Sequence, residues 1–209
     1  MVENSTVREI TETIRRAPVT AALTVGCVCV FFLSEAMGES VYARFALTSE
    51  AVLRQGEYLR LLTAAFLHFG VQHLFNNMLI LFLAGGVVER NLGSLRFLCL
   101  CLATGVFGNL VSVFWDAYTN AQSISVGASG MVFGVMGVIL VILLRVRDRL
   151  GEGSTLGKRA LLMLALSVYS GFTAGNINNA AHLGGLAAGV LLGLLWTHGR
   201  THYDLSGLR

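Results

Sequence analysis

Residues 126–144 read VGASGMVFGVMGVILVILL, a run with no charged side chain, in which Ser129 is the one polar side chain and lies close to the start. A helix of this length extends about 28 Å, which matches the thickness of the hydrocarbon core of a bilayer. The run therefore predicts a membrane-spanning helix that carries a hydroxyl group near one surface of the membrane.

The whole chain has the composition of a membrane protein. Of its 209 residues, 55% are hydrophobic and 13% are charged, whereas about 25% are charged in an ordinary globular domain. The mean hydropathy is +0.69. These values predict an all-α polytopic membrane protein embedded in a lipid bilayer. The net charge of +3 does not indicate a nucleic acid partner, and none is expected, because in such a chain the positions of the charges are more informative than their sum.

Five further apolar runs bring the predicted number of spans to six: Pro18–Met37, Val71–Val88, Leu95–Trp115, Val126–Leu144, Ala160–Ala174 and Ala180–Trp196. The fifth run is the shortest and needs its flanking basic residues to reach the interface. The apolar segment Leu59–Phe69 is too short to cross, so we expect it to lie in the interface or to re-enter the membrane as part of a partly embedded first loop. The expected organisation is a short N-terminal arm (1–17), a six-helix membrane domain (18–198) and a C-terminal tail (199–209).

The basic residues indicate how the bundle faces the membrane. By the positive-inside rule, the loops and ends that carry most of the lysines and arginines are cytoplasmic. Three of the fifteen, Arg44, Arg54 and Arg60, belong to the long first loop, and the other twelve lie on one side: Arg8, Arg15, Arg16, Arg90, Arg96, Arg145, Arg147, Arg149, Lys158, Arg159, Arg200 and Arg209. Both termini are therefore expected to be cytoplasmic. The short arm and the lack of further domains favour a bacterial plasma membrane.

Three polar residues are predicted to lie at the same depth. In this topology the second, fourth and sixth spans all run from the outer face inward. His73, Ser129 and His182 each fall within about the first turn of one of these spans. The three side chains should therefore converge near the outer leaflet, provided that the fifth run also crosses the membrane.

Ser129 and His182 are candidate catalytic residues. A serine hydroxyl is a weak nucleophile and needs a neighbouring base, usually histidine. Glycines at 185, 189 and 193 form a small-residue stripe on the sixth span, and Gly130, Gly134 and Gly137 line an edge of the fourth. Because small residues at this spacing let membrane helices approach closely, the two spans are predicted to pack together.

His73 and Asn77 are candidate oxyanion-hole residues. They stand at i and i+4 on the second span and so share one face of the helix. The Asn77 amide can donate a hydrogen bond to an oxyanion, together with the backbone N–H of Ser129. No carboxylate falls in the apolar runs beside His182, so the sequence favours a Ser-His dyad over a triad.

The serine motif and the histidines also have a purely structural interpretation. A Gly-x-Ser-Gly run in a membrane helix is often a packing motif, and a single histidine is often a hydrogen-bond partner between helices. A metal site built from His68, His73 and His182 would lack carboxylate or thiolate ligands at suitable spacing, so no metal and no cofactor is predicted. A solute transporter is disfavoured because no span is visibly broken at mid-depth and no inverted repeat stands out.

The four cysteines form two Cys-x-Cys pairs, Cys27 with Cys29 and Cys99 with Cys101. Alternate residues of a helix point in different directions, so neither pair suits a zinc site or an internal disulfide. We expect all four to be buried, unreactive thiols.

Taken together, the motifs resemble the rhomboid intramembrane serine proteases from about Gly56 to Trp196. Five motifs occur in the family's order: Gly56-Glu57-Tyr58-Leu59-Arg60 with Leu61-Leu62-Thr63, His73-Leu74-Phe75-Asn76-Asn77, Glu89-Arg90-Asn91-Leu92-Gly93-Ser94, Gly127-Ala128-Ser129-Gly130 and Ala181-His182-Leu183-Gly184-Gly185. A set of five ordered motifs is highly specific.

The resemblance implies an intramembrane serine endopeptidase that cleaves transmembrane segments of other membrane proteins. Ser129 matches the nucleophile, His182 the general base, and His73 and Asn77 the oxyanion-hole positions. The alternative is a noncatalytic relative that binds client helices, although inactive relatives lack the serine or the histidine.

Two further positions, Arg60 and Glu89, match polar residues that are structural in the family. The chain departs from the family at two others. Leu59 precedes the arginine where many members have an aromatic residue. Phe133 stands where some have tyrosine, so a ring can pack beside the histidine but offers no hydroxyl.

Overall fold

The computed structural model describes residues 14–147, 162, 165 and 178–205, and the ordered elements among them are helical. In this part of the chain, five helices are long and apolar enough to cross a membrane. In chain order the helices are α1 (Pro18–Met37), α2 (Glu39–Phe45), α3 (Ser49–Leu53), α4 (Arg60–Thr63) with a 3-10 turn (Ala64–Phe66), α5 (Gly70–Leu92), α6 (Ser94–Thr119), α7 (Ser129–Val146) and α8 (Asn179–Trp196). The spanning helices are α1, α5, α6, α7 and α8.

The predicted all-α polytopic architecture is confirmed by these helices. The fifth predicted run, Ala160–Ala174, lies outside the described residues apart from two helical positions, 162 and 165, so the count of six stays a prediction. One observation favours a total of six spans. Gly185 faces Gly130 and Gly189 faces Gly134, so α7 and α8 run parallel, and residue 178 lies at the same end of the bundle as residue 129. We call this the Ser129 end.

Helix α7 occupies the centre of the bundle. In an 18-residue stretch of each helix, 78% of the residues are buried in α7, against 28% in α1 and 39% in α8. Its apolar side chains form one cluster with those of α1, α5 and α6, while α8 contacts both α6 and α7. The outer helices direct their large apolar side chains outward, where a bilayer would cover them.

Glycines bring α8 against its two neighbours, and the small-residue stripes predict the contact with α7. A Cβ atom placed on Gly189 would lie 2.6 Å from the Cα atom of Gly134, and one on Gly137 would lie 2.7 Å from the carbonyl oxygen of Leu186. On the α6 side, a Cβ atom at Gly108 would lie 2.5 Å from the carbonyl oxygen of Ala181. Side chains do not fit at these positions, so the backbones themselves are in contact.

The start of α7 differs from the predicted boundary. The apolar run begins at Val126, but the helix begins at Ser129. Gly127 has a φ of 126°, which is incompatible with a helix and is accessible to glycine. Its N–H donates to the carbonyl of Ala64 at 2.9 Å, and an antiparallel bridge joins Leu47 to Ser125. The first loop therefore holds residues 125–127 out of the helix.

Glu89 joins three helices at the end of the bundle opposite Ser129. The first N–H groups of a helix have no partner within it. At the start of α1, the N–H groups of Val19 and Thr20 donate to the Glu89 carboxylate at 3.0 and 2.7 Å. The hydroxyls of Thr20 and Ser94 donate to the same carboxylate. Glu89 is 1% exposed, and these bonds give it the structural role expected from the resemblance.

Arg60 has a similar structural role in the first loop, where it joins two helices. Its guanidinium donates to the carbonyl oxygens of Ala43 and Ala46, each at 2.9 Å, and pairs with the carboxylate of Glu57. These bonds tie the end of α2 to the start of α4. The preceding Leu59 is among the most exposed apolar side chains described, so the arginine holds the loop without an aromatic neighbour at that position.

The expectation that all four cysteines are buried is wrong for two of them. Cys27 and Cys101 are buried, whereas Cys29 and Cys99 are exposed on the outer surface of the bundle. The physical reason is the one that argued against disulfides: residues two apart on a helix point in different directions, so only one of each pair can face the core.

The glycine contacts generate a stability prediction. Gly189→Ala should destabilise the bundle by about 2 kcal/mol, because the new methyl group overlaps the backbone of α7 and the helices must separate. Gly26→Ala is the matched control, since a Cβ atom there meets nothing within 4 Å. It should leave stability unchanged or raise it by up to about 1 kcal/mol through helix propensity. Thermal unfolding in detergent micelles would compare the two, and equal midpoints would contradict the backbone contact.

Candidate active site

Ser129 is the first residue of α7 and lies at the end of the bundle where α8 also begins. The N–H groups of the first helical turn have no partner within the helix, and Val132 is the first to donate back, to the Ala128 carbonyl at 2.9 Å. These N–H groups and the helix dipole make the start of α7 electropositive. The serine hydroxyl therefore lies beside donors suited to a developing negative charge.

His182 lies in the first turn of α8, next to α7. Its ring stacks on the ring of Phe133, with centroids 4.3 Å apart and an angle of 13° between the planes. Phe133 is one helical turn beyond Ser129, and residues four apart share a helix face. The stacking therefore places the imidazole on the same side of α7 as the serine. The predicted packing of Phe133 beside the histidine is confirmed.

The hydrogen bonds of the pair are incomplete in this structure. Within residues 14–147 and 178–205, no hydrogen bond joins the Ser129 hydroxyl to the His182 ring. The Nδ1 atom of His182 is buried and has no hydrogen-bond partner among these residues. The structure thus brings the two side chains to neighbouring positions, and it places no described carboxylate against Nδ1.

His73 and Asn77 face the residues just before Ser129. A Cβ atom at Gly127 would lie 2.8 Å from His73 Nε2 and 3.9 Å from Asn77 Nδ2. The Asn77 amide donates one hydrogen to the His73 carbonyl at 3.0 Å, which leaves its second hydrogen for another acceptor. The lack of a side chain at Gly127 therefore lets the His73 ring lie against the chain just before α7, with Asn77 beside it.

His68 belongs to the same cluster, although the sequence suggested for it only a place in an improbable metal site. It is fully buried. Its Nε2 accepts the N–H of Ala128 at 3.4 Å, and its Nδ1 lies 3.3 Å from the carbonyl oxygen of Phe66. One ring nitrogen accepts and the other faces an acceptor, so the pattern assigns a neutral ring with the proton on Nδ1. The ring also meets His73 edge to face at 5.2 Å.

Burial, with a smaller contribution from the neighbouring His73, lowers the pKa of the His68 imidazole from its ordinary value of 6.5 to about 4. The neutral form is thus maintained at neutral pH. A buried polar side chain within the short apolar segment Leu59–Phe69 was the available signal for this residue, because such a group is costly to bury without a partner.

Metal ligation has no support in the described part of the chain. Over residues 14–147, 162, 165 and 178–205, no group of three or more His, Cys, Asp or Glu side chains is arranged to hold a metal ion. His68 and His73 adjoin each other, but both nitrogens of His68 face backbone groups.

The profile of the Rhomboid domain matches residues 55–198. The chain is 36% identical over 166 residues to Rhomboid protease GluP of Bacillus subtilis (strain 168), an alignment that covers 78% of this chain and 31% of that protein. It is 37% identical over 140 residues to Putative rhomboid protease YdcA of the same organism, covering 67% of this chain and 68% of that protein. It is 30% identical over 159 residues to Rhomboid-like protease 1 of Toxoplasma gondii, covering 75% and 53%.

The chain thus spans about a third of the length of the first of these relatives and about two thirds of the second. With the five apolar helices, the similarities show an integral membrane protein.

The neutral His68 predicts a pH dependence of stability. Its pKa is about 4 in the folded protein and 6.5 in its ordinary state, so between these values the unfolded chain binds a proton that the folded chain does not. Its contribution is complete above pH 6.5 and is lost as the pH falls toward 4. Between pH 7 and pH 5 the free energy of unfolding should drop by about 2 kcal/mol from this group.

The matched variant is His68→Gln, which keeps a side-chain acceptor for the Ala128 N–H but does not titrate. Unfolding measured in detergent at the two pH values should show a smaller loss for this variant than for the wild type. An identical loss in both proteins would exclude the buried neutral imidazole.

Proposed function

Because the chain belongs to the rhomboid family, we propose that it is an intramembrane serine endopeptidase that cleaves transmembrane segments of other membrane proteins. Ser129 is the nucleophile and His182 the general base of this proposal, with His73 and Asn77 at the oxyanion hole. The observation that carries the proposal is the convergence of three helix starts, those of α5, α7 and α8, around Gly127 and Ser129.

In the first chemical step, His182 removes the proton of the Ser129 hydroxyl while the oxygen attacks a peptide carbonyl of the substrate. The stack on Phe133 supports this role, because it sets the plane of the imidazole beside the serine face of α7. A hydrogen bond between the two side chains is required for the transfer. We propose that it forms when the substrate occupies the site, since catalytic hydrogen bonds are often long in the free enzyme.

The attack creates an oxyanion, and the start of α7 offers donors to it. The backbone N–H of Ser129 lies at the positive end of the helix dipole. His73 Nε2 and the Asn77 amide nitrogen lie beside Gly127, and the amide has a second hydrogen that it can donate. Donors fixed in a site of low dielectric constant are effective because they need little reorganisation during the reaction.

A dyad is supported by the surroundings of His182. In a Ser-His-Asp triad, the carboxylate accepts a hydrogen bond from the N–H of the second ring nitrogen and so orients the ring. Here Nδ1 is buried and lacks a hydrogen-bond partner among the described residues. The aromatic stack on Phe133 then supplies the orientation that a carboxylate supplies elsewhere.

A substrate helix keeps its carbonyl groups in its own hydrogen bonds, so it must unwind locally before the serine can attack. Suitable substrates therefore carry helix-breaking residues and a small side chain at the scissile position, as those of the family do. The tetrahedral intermediate then collapses: the peptide C–N bond breaks, His182 gives its proton to the leaving amine, and the acyl group stays on Ser129. Water that enters from the Ser129 end hydrolyses this acyl-enzyme, with His182 again as the base. The sequence also makes the short fifth predicted span and the charge-free loop over 171–179 candidates for elements that move to admit the substrate, because little polar pairing would hold them. Both lie almost entirely outside the described residues.

We further propose that the Ser129 end faces outward and both termini face the cytoplasm. The distribution of lysine and arginine supports this orientation. A bacterial plasma membrane stays a prediction, which the two Bacillus subtilis relatives favour and the one from Toxoplasma gondii leaves open.

Active-site labelling tests the proposed nucleophile and base. A fluorophosphonate should label the wild-type protein in membranes, while Ser129→Ala and His182→Ala should lose both labelling and cleavage of a co-expressed transmembrane substrate, by about 1,000-fold or more. Ser40→Ala is the control, because that hydroxyl is exposed and bonds only the nearby Met37 carbonyl. Substrate cleavage that persists in Ser129→Ala would contradict the protease, and a folded, unlabelled wild type would favour a noncatalytic helix-binding protein.

The oxyanion hole can be tested with two adjacent asparagines. Asn77 is buried and faces the site, whereas Asn76 is exposed and pairs with Gln72 on the outer surface. Asn77→Ala should lower kcat by about 100-fold with little change in KM, because its donor acts on the oxyanion. Asn76→Ala should cleave the substrate at the wild-type rate. Equal kcat values for the two variants would remove Asn77 from the oxyanion hole.

A further inference from the structure

Asn178, the residue before α8, bonds three separate parts of the bundle. Its Nδ2 donates to the hydroxyl of Ser112 on α6 and to the hydroxyl of Ser125 at 2.7 Å. Its Oδ1 accepts the N–H of Ala181 at 3.1 Å. Its backbone carbonyl accepts the N–H of His182 at 3.3 Å. Both polar atoms of the amide are thus used.

Each partner of this amide is itself fixed. Ser112 is 1% exposed on a helix that contacts α8 through Gly108. Ser125 is held by two backbone hydrogen bonds to Leu47, at 2.9 and 3.0 Å. Asn178 therefore connects the start of α8 to two rigid neighbours.

We call the two hydrogen bonds from Asn178 Nδ2, to Ser112 and to Ser125, the Asn178 bridge. Its position along the chain is informative. Ser125 lies four residues before Ser129, and Asn178 lies four residues before His182. The bond between Ser125 and Asn178 thus links the two loop segments that lead directly to the nucleophile and the base. A displacement of one segment along the membrane normal would move His182 relative to Ser129.

We propose that Asn178 is a positioning residue that holds His182 in register with Ser129. This inference rests on the proposed protease function. Asn178 touches neither the reacting atoms nor the imidazole ring, and it acts through the backbone of α8. Its role matters because the His182 ring has no carboxylate among the described residues to hold it, so its position depends on where the helix begins.

The bridge differs from an ordinary helix cap, and the two can be separated. The cap needs only an acceptor for the Ala181 N–H, which serine, threonine or aspartate also provides. The bridge needs a donor that reaches Ser112 and Ser125 at the same time. Asn178→Ser keeps the cap but is too short for the bridge, whereas Asn178→Ala removes both.

The test compares Asn178→Ser, Asn178→Ala and Ser125→Ala with the wild type and with Ser40→Ala. The readouts are the rate constant of fluorophosphonate labelling of Ser129 between pH 5 and 9, kcat and KM for a transmembrane substrate, and the thermal midpoint. We expect Asn178→Ser and Ser125→Ala each to lower labelling and kcat by about tenfold, because misplacement of the base costs reaction rate. KM should change less than twofold and the midpoint of Asn178→Ser should stay near that of the wild type.

A second comparison uses the double variant Asn178→Ser with Ser125→Ala. If the hydrogen bond between Asn178 and Ser125 is what positions His182, either single substitution already removes it, and the second substitution should not lower the labelling rate further. The double variant should therefore be labelled at the same rate as either single variant. Should Asn178→Ala fail to fold, the serine variant and Ser125→Ala still decide the matter.

Three results would overturn the inference: wild-type labelling in Asn178→Ser, a loss of rate that follows the thermal midpoint across the set, or a raised KM with unchanged kcat. A wild-type protein that is folded but unlabelled would instead refute the proposed function, and the inference with it. The control Ser40→Ala should behave as the wild type in every measurement.

Discussion

The glycines of α7 and α8 bring two helix backbones into direct contact: a Cβ atom at Gly189 would lie 2.6 Å from the Cα atom of Gly134. Lipid tails are as apolar as leucine, so the hydrophobic effect does little to join helices in a bilayer, and close van der Waals packing does more. The same contact sets the vertical register of the two helices. Because they run parallel with Gly130 against Gly185, Ser129 lies one residue before one contact glycine and His182 three residues before the other. The proposed nucleophile and base are therefore within about one helical turn of the same level.

Helix starts impose a second constraint, since their free N–H groups need partners in a medium without water. The fold meets it differently at its two ends. At one end the Glu89 carboxylate accepts the first N–H groups of α1. At the other, Asn178 accepts at the start of α8, His68 accepts from Ala128, and the first turn of α7 is left open. The proposed oxyanion site is therefore at a helix start whose donors are not used by a side-chain cap.

Local patterns were sufficient to predict much of this. Long apolar runs located the five described spans, and glycine spacing predicted which two of them touch, because both signals depend on residues near in sequence. The start of α7 was misplaced since Gly127 is held out of the helix by Ala64, which lies far away in the chain. The role of His68 was missed for a similar reason: its partner, Ala128, is 60 residues distant. Contacts of this kind leave no periodic trace in a single sequence.

The absence of a described acid beside His182 fits the surroundings of the proposed site. A carboxylate placed among membrane helices is costly unless several donors satisfy it, as they do around Glu89. A flat apolar neighbour carries no such cost, and Phe133 lies against the imidazole with nearly parallel planes. Stacking fixes the plane of a ring but does not fix its height along the helix axis. That second coordinate must come from the backbone, and the bonds of Asn178 to Ser125 and to the start of α8 are placed to supply it.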